Sequence, residues 1–182
     1  REAEELEKRV RKIEREDDKL NEELNRRAKD VSREDKELND RVREVVRRLV
    51  EEVDRIRRDV KDKRDAREKV REIMDRIRRL LEELKRRSDE LAKELRELLE
   101  ELERRSKKLV DEIKEVVRKL KEDGKLREEL EKKLEDIIRE LKKRNDESAE
   151  RIRRLIKTNE DENRRTAEEI KKILDDIRRK VK

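Results

Sequence analysis

An apolar pattern that recurs every 18 residues constrains this chain more than any other feature of it. In the middle of the chain the repeat contains Ile73, Leu91 and Leu109, then Ile77, Leu95 and Ile113, and then Leu84, Leu102 and Leu120. Because 18 residues make about five α-helical turns, a stripe with this period runs straight along one helix face. A heptad repeat would instead impose a left-handed supercoil. The pattern therefore predicts long, straight helices.

Three segments carry this stripe, and the residues between them predict where the helices end. The first segment runs from Ala3 to Val60 and meets four charged residues, 61–64. Asp65 with Glu68 then has the form of a capping box, and Gly124 supplies a left-handed C-terminal cap. We predict an all-α, single-domain bundle over residues 1–182, with helices at about 1–60, 65–122 and 125–182. Since both loops are short, neighbouring helices should run antiparallel, in up-down-up order.

A second interpretation divides each long helix into two. New helices could begin at Ser32, Ser88 and Thr158, which would give six shorter helices of about 30 residues. A turn usually shifts the phase of the apolar stripe and usually contains Gly or Pro. Val31 and Leu49 instead stay in phase across Ser32, so we favour three helices.

The composition agrees with one narrow apolar stripe per helix. Charged residues make up 64% of the chain and hydrophobic residues 29%, with 61 basic and 55 acidic side chains interspersed. An apolar seam of two positions in seven accounts for this hydrophobic fraction. No run approaches the ~18 apolar residues of a membrane span, and no targeting pattern is visible. We therefore expect a soluble chain with no membrane partner, and we assign it no cellular compartment.

Polar residues interrupt the stripe in pairs with the same 18-residue spacing. Counted back from residue 123, Ser106 and Ser88 stand level with Asp17 and Asp35, and a similar count along the third segment aligns its asparagines with those of the first. We therefore predict two buried hydrogen-bonded layers, about 27 Å apart along straight helices. The first polar layer comprises Asp17, Asn21, Ser106, Asn145 and Ser148, and the second comprises Asp35, Asn39, Ser88, Asn163 and Thr166.

Such layers would set the register of the helices. Apolar layers are interchangeable, whereas a helix that slips leaves buried polar groups unpaired, at roughly 1–3 kcal/mol each. We expect that replacing Asn39 and Asn163 together by Leu leaves the fold equally or more stable but loosens its uniqueness. Three further residues lie near these levels without lattice partners, namely Asn25, Ser32 and Asn159.

In these respects the whole chain resembles de novo designed helical bundles with parametric backbones and modular buried hydrogen-bond networks. The resemblance rests on the Leu, Ile and Val lattice, the paired polar layers, the missing aromatics and the Glu, Lys and Arg surface. It implies a thermostable structural scaffold and transfers no catalytic or binding residue. Two features depart from the pattern, because the first loop lacks Gly and Pro, and because Asp17 and Asp35 are acidic where such networks usually use neutral groups.

The chain lacks the residue types that most catalytic and metal sites use. The chain contains no His or Cys and one Gly, so zinc ligands, a serine triad and a phosphate-binding glycine loop are all missing. We predict no enzyme activity, no catalytic or metal residues, no cofactor and no small-molecule substrate. Basic residues are interspersed with acidic ones, so the net charge of +6 predicts no specific nucleic-acid binding.

Two functions then remain. One is a rigid, designed scaffold that is monomeric and requires no partner. The alternative is a designed interaction module that forms homo-oligomers or binds a partner helix through apolar positions flanking the main stripe. Those flanking positions are Val45, Val50, Met74, Ala92, Val110 and Ile156.

Overall fold

A computed structural model describes residues 2–181, with side chains from residue 4 onward. It contains three α-helices, α1 at Glu2–Asp59, α2 at Lys63–Glu122 and α3 at Glu128–Lys180. The three-helix, all-α bundle is thereby confirmed and the six-helix alternative is wrong, because α1 is unbroken at Ser32, α2 at Ser88 and α3 at Thr158. Arg1, Lys182 and the side chain of Ala3 fall within the predicted helices but lie outside the described residues.

The second helix begins two residues earlier than its predicted start. Asp62, not Asp65, is the N-cap, because its Oδ1 accepts a hydrogen bond from the backbone N–H of Arg64 at 3.0 Å. This bond satisfies one of the donors left free at a helix N-terminus. Asp65 lies within the first turn, where its negative charge is favourable. The first loop therefore needs neither Gly nor Pro.

The second loop is the turn that Gly124 predicts. Gly124 has a φ of 65°, its N–H bonds to the carbonyl of Lys121 at 3.1 Å, and the N–H of Lys125 bonds to the carbonyl of Leu120 at 3.0 Å. This pair of bonds is a Schellman motif, which closes the end of α2. Leu126, between α2 and α3, packs with the apolar cluster around Leu120. These residues delay the start of α3 to Glu128, three residues after the predicted start.

Residues group into two compact units, each built from one segment of every helix. The first unit comprises Arg1–Asp30 and Leu95–Leu155, and the second comprises Val31–Glu94 and Ile156–Lys182. In the first unit, Val10 packs with Val116 and Leu134, and Ile13 packs with Ile113 and Leu141. Residue numbers rise together along α1 and α3 and fall along α2, as the antiparallel order requires.

The second unit contains a larger apolar cluster. Its fully or nearly fully buried members come from all three helices, and each such side chain contributes roughly 1.5–3 kcal/mol by leaving water. They are Val42, Val46, Leu49 and Val53 of α1, Val70, Ile73, Met74, Ile77, Leu81 and Leu84 of α2, and Ile170, Leu174 and Ile177 of α3.

Most of the flanking apolar positions are used inside the bundle. Met74, Ala92 and Val110 are buried, and Val50 and Ile156 are partly buried. Val45 is the exposed large hydrophobic residue among those described, at 38%. A third helix therefore covers most of the wide stripe, as bundle packing requires.

Candidate functional site, two buried polar layers

The polar residues predicted for the two layers lie in the interior of their units. Nine of the ten are buried, and Asn163 is partly buried. The acidic members of the layers, Asp17 and Asp35, are 0% and 1% exposed. The first polar layer lies wholly in the first unit, and the second polar layer lies wholly in the second unit.

Asn21 is the centre of the first polar layer. Its Nδ2 lies 2.8 Å from the backbone carbonyl of Asp17, 3.2 Å from Asp17 Oδ2 and 2.8 Å from Asn145 Oδ1. The bond to Asn145 joins α1 to α3. Asp17 Oδ1 and Asn145 Nδ2, a buried acceptor and a buried donor, make no hydrogen bond within the described residues.

The second polar layer repeats this arrangement 18 residues later. Asn39 Nδ2 lies 2.8 Å from the carbonyl of Asp35 and 2.6 Å from Asn163 Oδ1, and its contact with Asp35 Oδ2 is long, at 3.5 Å. Here Asn163 also donates to Asp35 Oδ1 at 3.2 Å. Asp35, Asn39 and Asn163 therefore form a closed ring of hydrogen bonds, which the first layer completes only in part.

Three of the four hydroxyl groups of the layers bond locally or not at all. Ser106 donates to the carbonyl of Glu103 in its own helix at 3.2 Å, and Thr166 donates to the carbonyl of Glu162 at 3.0 Å. Ser88 Oγ is buried and makes no hydrogen bond within the described residues. Within the layers the side-chain bonds between helices connect α1 to α3, while the α2 serines add small polar groups at the same levels.

Two residue pairs extend the layers. Asn25 donates to Ser148 Oγ at 3.2 Å in the first unit, and Ser32 donates to Asn159 Oδ1 at 3.0 Å in the second. Asn25, Ser32 and Asn159 are the residues whose level matched the layers without a lattice partner. Their partners lie across the α1–α3 interface, which spacing along one helix does not reveal.

Burial dominates the electrostatics of both carboxylates. Desolvation raises the pKa of Asp35 to about 6, against the lowering effect of the Asn163 hydrogen bond and with a further rise from the charge of Glu162. Desolvation also raises the pKa of Asp17, and the Asn145 amide and the Arg144 charge oppose that rise. The ionised form of each carboxyl group is therefore disfavoured by its burial.

Charged residues beside the layers did not emerge from the apolar lattice. Arg144 lies 3.9 Å from Asp17 Oδ2, and Arg43 binds Glu162 at 2.8 Å and Glu169 at 3.1 Å. The 18-residue spacing could have identified two of these charged residues, because Arg144 and Glu162 are 18 residues apart and each precedes a layer asparagine.

The layers consist of carboxyl, amide and hydroxyl groups that donate and accept hydrogen bonds. Among residues 4–181 no cluster of three or more His, Cys, Asp or Glu side chains could hold a metal ion. No helix within the described part of the chain is long and apolar enough to cross a membrane.

Comparison with solved structures gives the same architecture. A structure described as a computationally designed three helix bundle superposes with a TM-score of 0.55 at 20% sequence identity, and the match covers 98% of this chain and 94% of the other. At this identity the likeness shows the fold alone. No protein-family model matches the chain, and no curated protein sequence matches it.

Proposed function

We propose that this chain is a designed structural scaffold, a single-domain helical bundle without a natural biochemical activity, whose register is set by two modular polar layers. The observation that supports this most directly is the recurrence of one Asp-Asn-Asn arrangement in both units, with matching bonds from Asn21 to Asn145 and from Asn39 to Asn163. A repeat of this kind, inside an apolar lattice of the same period, is typical of construction from identical modules.

The geometry gives the layers a physical task. Apolar packing stabilises many helix registers almost equally, whereas each Asn–Asn bond exists in one register between α1 and α3. If either helix slipped by a turn, the Asn39 and Asn163 amides would remain buried while losing their partners. Each unsatisfied group costs roughly 1–3 kcal/mol, so the native register is favoured even where the bonds add little net stability.

The proposal includes no enzyme activity, cofactor, small-molecule substrate or specific nucleic-acid partner. The amino-acid composition supports this part of the proposal. The chain has no His or Cys, so the buried Ser88 and Ser106 have no imidazole to activate them. Asp17 and Asp35 lie in different units. The Asp17 carboxylate accepts a hydrogen bond from Asn21, and the Asp35 carboxylate accepts from Asn39 and Asn163.

One observation favours the alternative of an interaction or self-assembly module. Val45 is 38% exposed and lies five residues before the partly buried Val50 on α1. A second copy of the chain could cover this edge of the second unit. The patch is small compared with the roughly 800 Å² per partner of a stable interface, which favours the monomeric scaffold.

Light scattering coupled to size-exclusion chromatography distinguishes the two functions. The scaffold predicts a mass of 22.6 kDa that stays constant across a concentration series from micromolar to millimolar. Val45→Lys should leave that mass unchanged. If the mass doubles or triples with concentration, and Val45→Lys restores 22.6 kDa, the interaction module is the correct function.

A further inference from the structure

The two polar layers differ in the charge beside their carboxylates. The residue before the α3 asparagine is Arg144 in the first polar layer and Glu162 in the second, at equivalent positions of the 18-residue repeat. Arg144 lies 3.9 Å from Asp17 Oδ2, whereas the charge of Glu162 acts on Asp35. The two polar layers therefore share their hydrogen-bonding residue types, but the charge beside the aspartate is positive in the first layer and negative in the second.

The groups around Asp17 leave Arg144 as its main charged partner. On α1, Asp18 contacts the same guanidinium group from the surface. From α2, the buried polar group at this level is the neutral Ser106, and the nearby Glu103 pairs with Arg153 at 2.9 Å. Asp17 thus has a cation close to it, which stabilises its ionised form.

The groups around Asp35 are arranged differently. On α3, Glu162 is a second acid, and its charge is only partly offset by Arg43, which it shares with Glu169. From α1 and α2, Glu34 and Arg87 neutralise one another, and α2 adds the uncharged Ser88. No cation among the described residues forms an ion pair with Asp35.

The hydrogen-bond inventory of the second layer also favours a proton. An ionised carboxylate only accepts hydrogen bonds, while a protonated one supplies an O–H donor. Asn39 Oδ1 is a buried acceptor that lacks a donor within the described residues, and so is the equivalent Asn21 Oδ1 of the first layer. Protonation of Asp35 would remove a buried charge and supply a donor at this level, so the charged neighbours, and not the unpaired acceptors, distinguish the two layers.

We propose that Asp35 is a proton-binding site, that it is protonated at a higher pH than its equivalent Asp17, and that the Arg144/Glu162 charge exchange sets this difference. The second polar layer would then be neutral in weakly acidic solution while the first remains charged. The repeat therefore contains two titrating sites of one design with separately adjusted affinities for a proton. This inference does not depend on the scaffold function, since it concerns only the local surroundings of two carboxyl groups.

The test is a pH titration of the aspartate side-chain carboxyl carbons by NMR, using the full chain from pH 3 to pH 8. Asp35→Asn and Asp17→Asn identify the two signals by their disappearance. We expect a midpoint near pH 6 for Asp35 and a lower midpoint for Asp17. Glu162→Arg should lower the Asp35 midpoint by about one pH unit, and Arg144→Glu should raise the Asp17 midpoint by about as much.

Two further variants keep the result interpretable. Glu162→Gln removes the charge with little change of shape, so it tests the same effect if Glu162→Arg disturbs the fold. It should lower the pH midpoint of Asp35 by a smaller amount. Glu168→Arg makes the same charge change at an exposed position of α3 and should leave the Asp35 midpoint in place. Equal midpoints for Asp17 and Asp35, or an Asp35 midpoint that neither Glu162 variant moves, would overturn the proposal.

Discussion

Asn39 donates a 2.6 Å hydrogen bond to Asn163 from a neighbouring helix, and both amides also donate to the buried carboxyl group of Asp35. The carboxylate therefore depends on the same two side chains that join the helices. Removing the asparagines leaves an acid without donors in an apolar interior. Replacing the two asparagines should therefore affect stability through Asp35.

The first prediction concerns Asn39→Leu combined with Asn163→Leu. The lattice alone suggested that this variant would keep its stability, but the geometry predicts a loss of about 1–3 kcal/mol at pH 7, because Asp35 remains buried without donors. Adding Asp35→Leu should recover that loss or more, since the whole polar group is then replaced by apolar side chains. Urea unfolding followed by circular dichroism measures the three free energies of unfolding.

The same triple variant also tests whether the layer sets the register. We expect its methyl NMR spectrum to contain more signals than the sequence has methyl groups, as several registers become populated. A single sharp set of signals, one for each methyl group of the variant sequence, would mean that apolar packing alone selects the register. The equivalent substitutions in the first polar layer, at Asp17, Asn21 and Asn145, provide the matched comparison.

The 18-residue spacing predicted the levels of the buried residues but not their bonds. Residues five turns apart share a helix face, which paired Asp17 with Asp35, and the count along the third segment aligned Asn145 with Asn21. Which donor meets which acceptor depends on side-chain rotamers and on the distance between helices, and neither is contained in a spacing. Ser106 illustrates this, because its hydroxyl bonds to its own helix at Glu103 although its level suggested a partner on another helix.

The helix ends show the same division between pattern and geometry. Gly124 was predictable, because a left-handed residue is strongly preferred at a helix C-terminus and few residue types adopt it. The N-cap of α2 was not, since Asp62 and Asp65 are both acids in a charged run and either could cap a helix. Only the backbone path, which brings the Arg64 N–H to Asp62 Oδ1, distinguishes them.

The second prediction compares the two candidate caps. Asp62→Ala should lower the free energy of unfolding by about 1 kcal/mol, because the Arg64 N–H loses its acceptor. Asp65→Ala should cost only a few tenths of a kcal/mol, since this residue contributes a favourable charge and an exposed ion pair with Lys69 at 3.5 Å. Urea titrations of both variants measure the difference, and a larger loss for Asp65→Ala would assign the cap to that residue.

The third prediction is a pH dependence of stability that arises from Asp35. Its pKa is about 6 in the folded state and 3.8 in a model peptide, so between these values the folded chain binds more protons than the unfolded chain. Its contribution to stability is therefore full below pH 3.8 and is lost as the pH rises towards 6. Asp35→Asn should consequently match the unmodified chain near pH 4 and exceed its stability at pH 7 by up to about 3 kcal/mol.

The measurement is the difference in unfolding free energy between Asp35→Asn and the unmodified chain at several pH values. Taking a difference removes the shared contributions of surface carboxylates, such as Glu44 and Glu115, whose pKa values are lowered by arginine neighbours. Asp89→Asn, at an exposed position of α2, makes the same substitution outside the buried layers and is the control. A constant difference for Asp35→Asn would show that the pKa of this carboxyl group is the same in the folded and unfolded states.

The fourth prediction concerns the proposal that residues 1–182 form one domain although they group into two units. Each helix contributes residues to both units, so neither unit can unfold alone without ending all three helices in their middle. Leu141→Ala in the first unit and Ile77→Ala in the second remove side chains that are 1% and 0% exposed. Each should cost about 2–5 kcal/mol and lower the hydrogen-exchange protection of slowly exchanging amides in both units by a similar factor.

Glu147→Ala, at an exposed position of α3, controls for the substitution itself. If Leu141→Ala instead lowers protection only among residues of the first unit, and Ile77→Ala only among those of the second, the chain contains two domains that unfold independently.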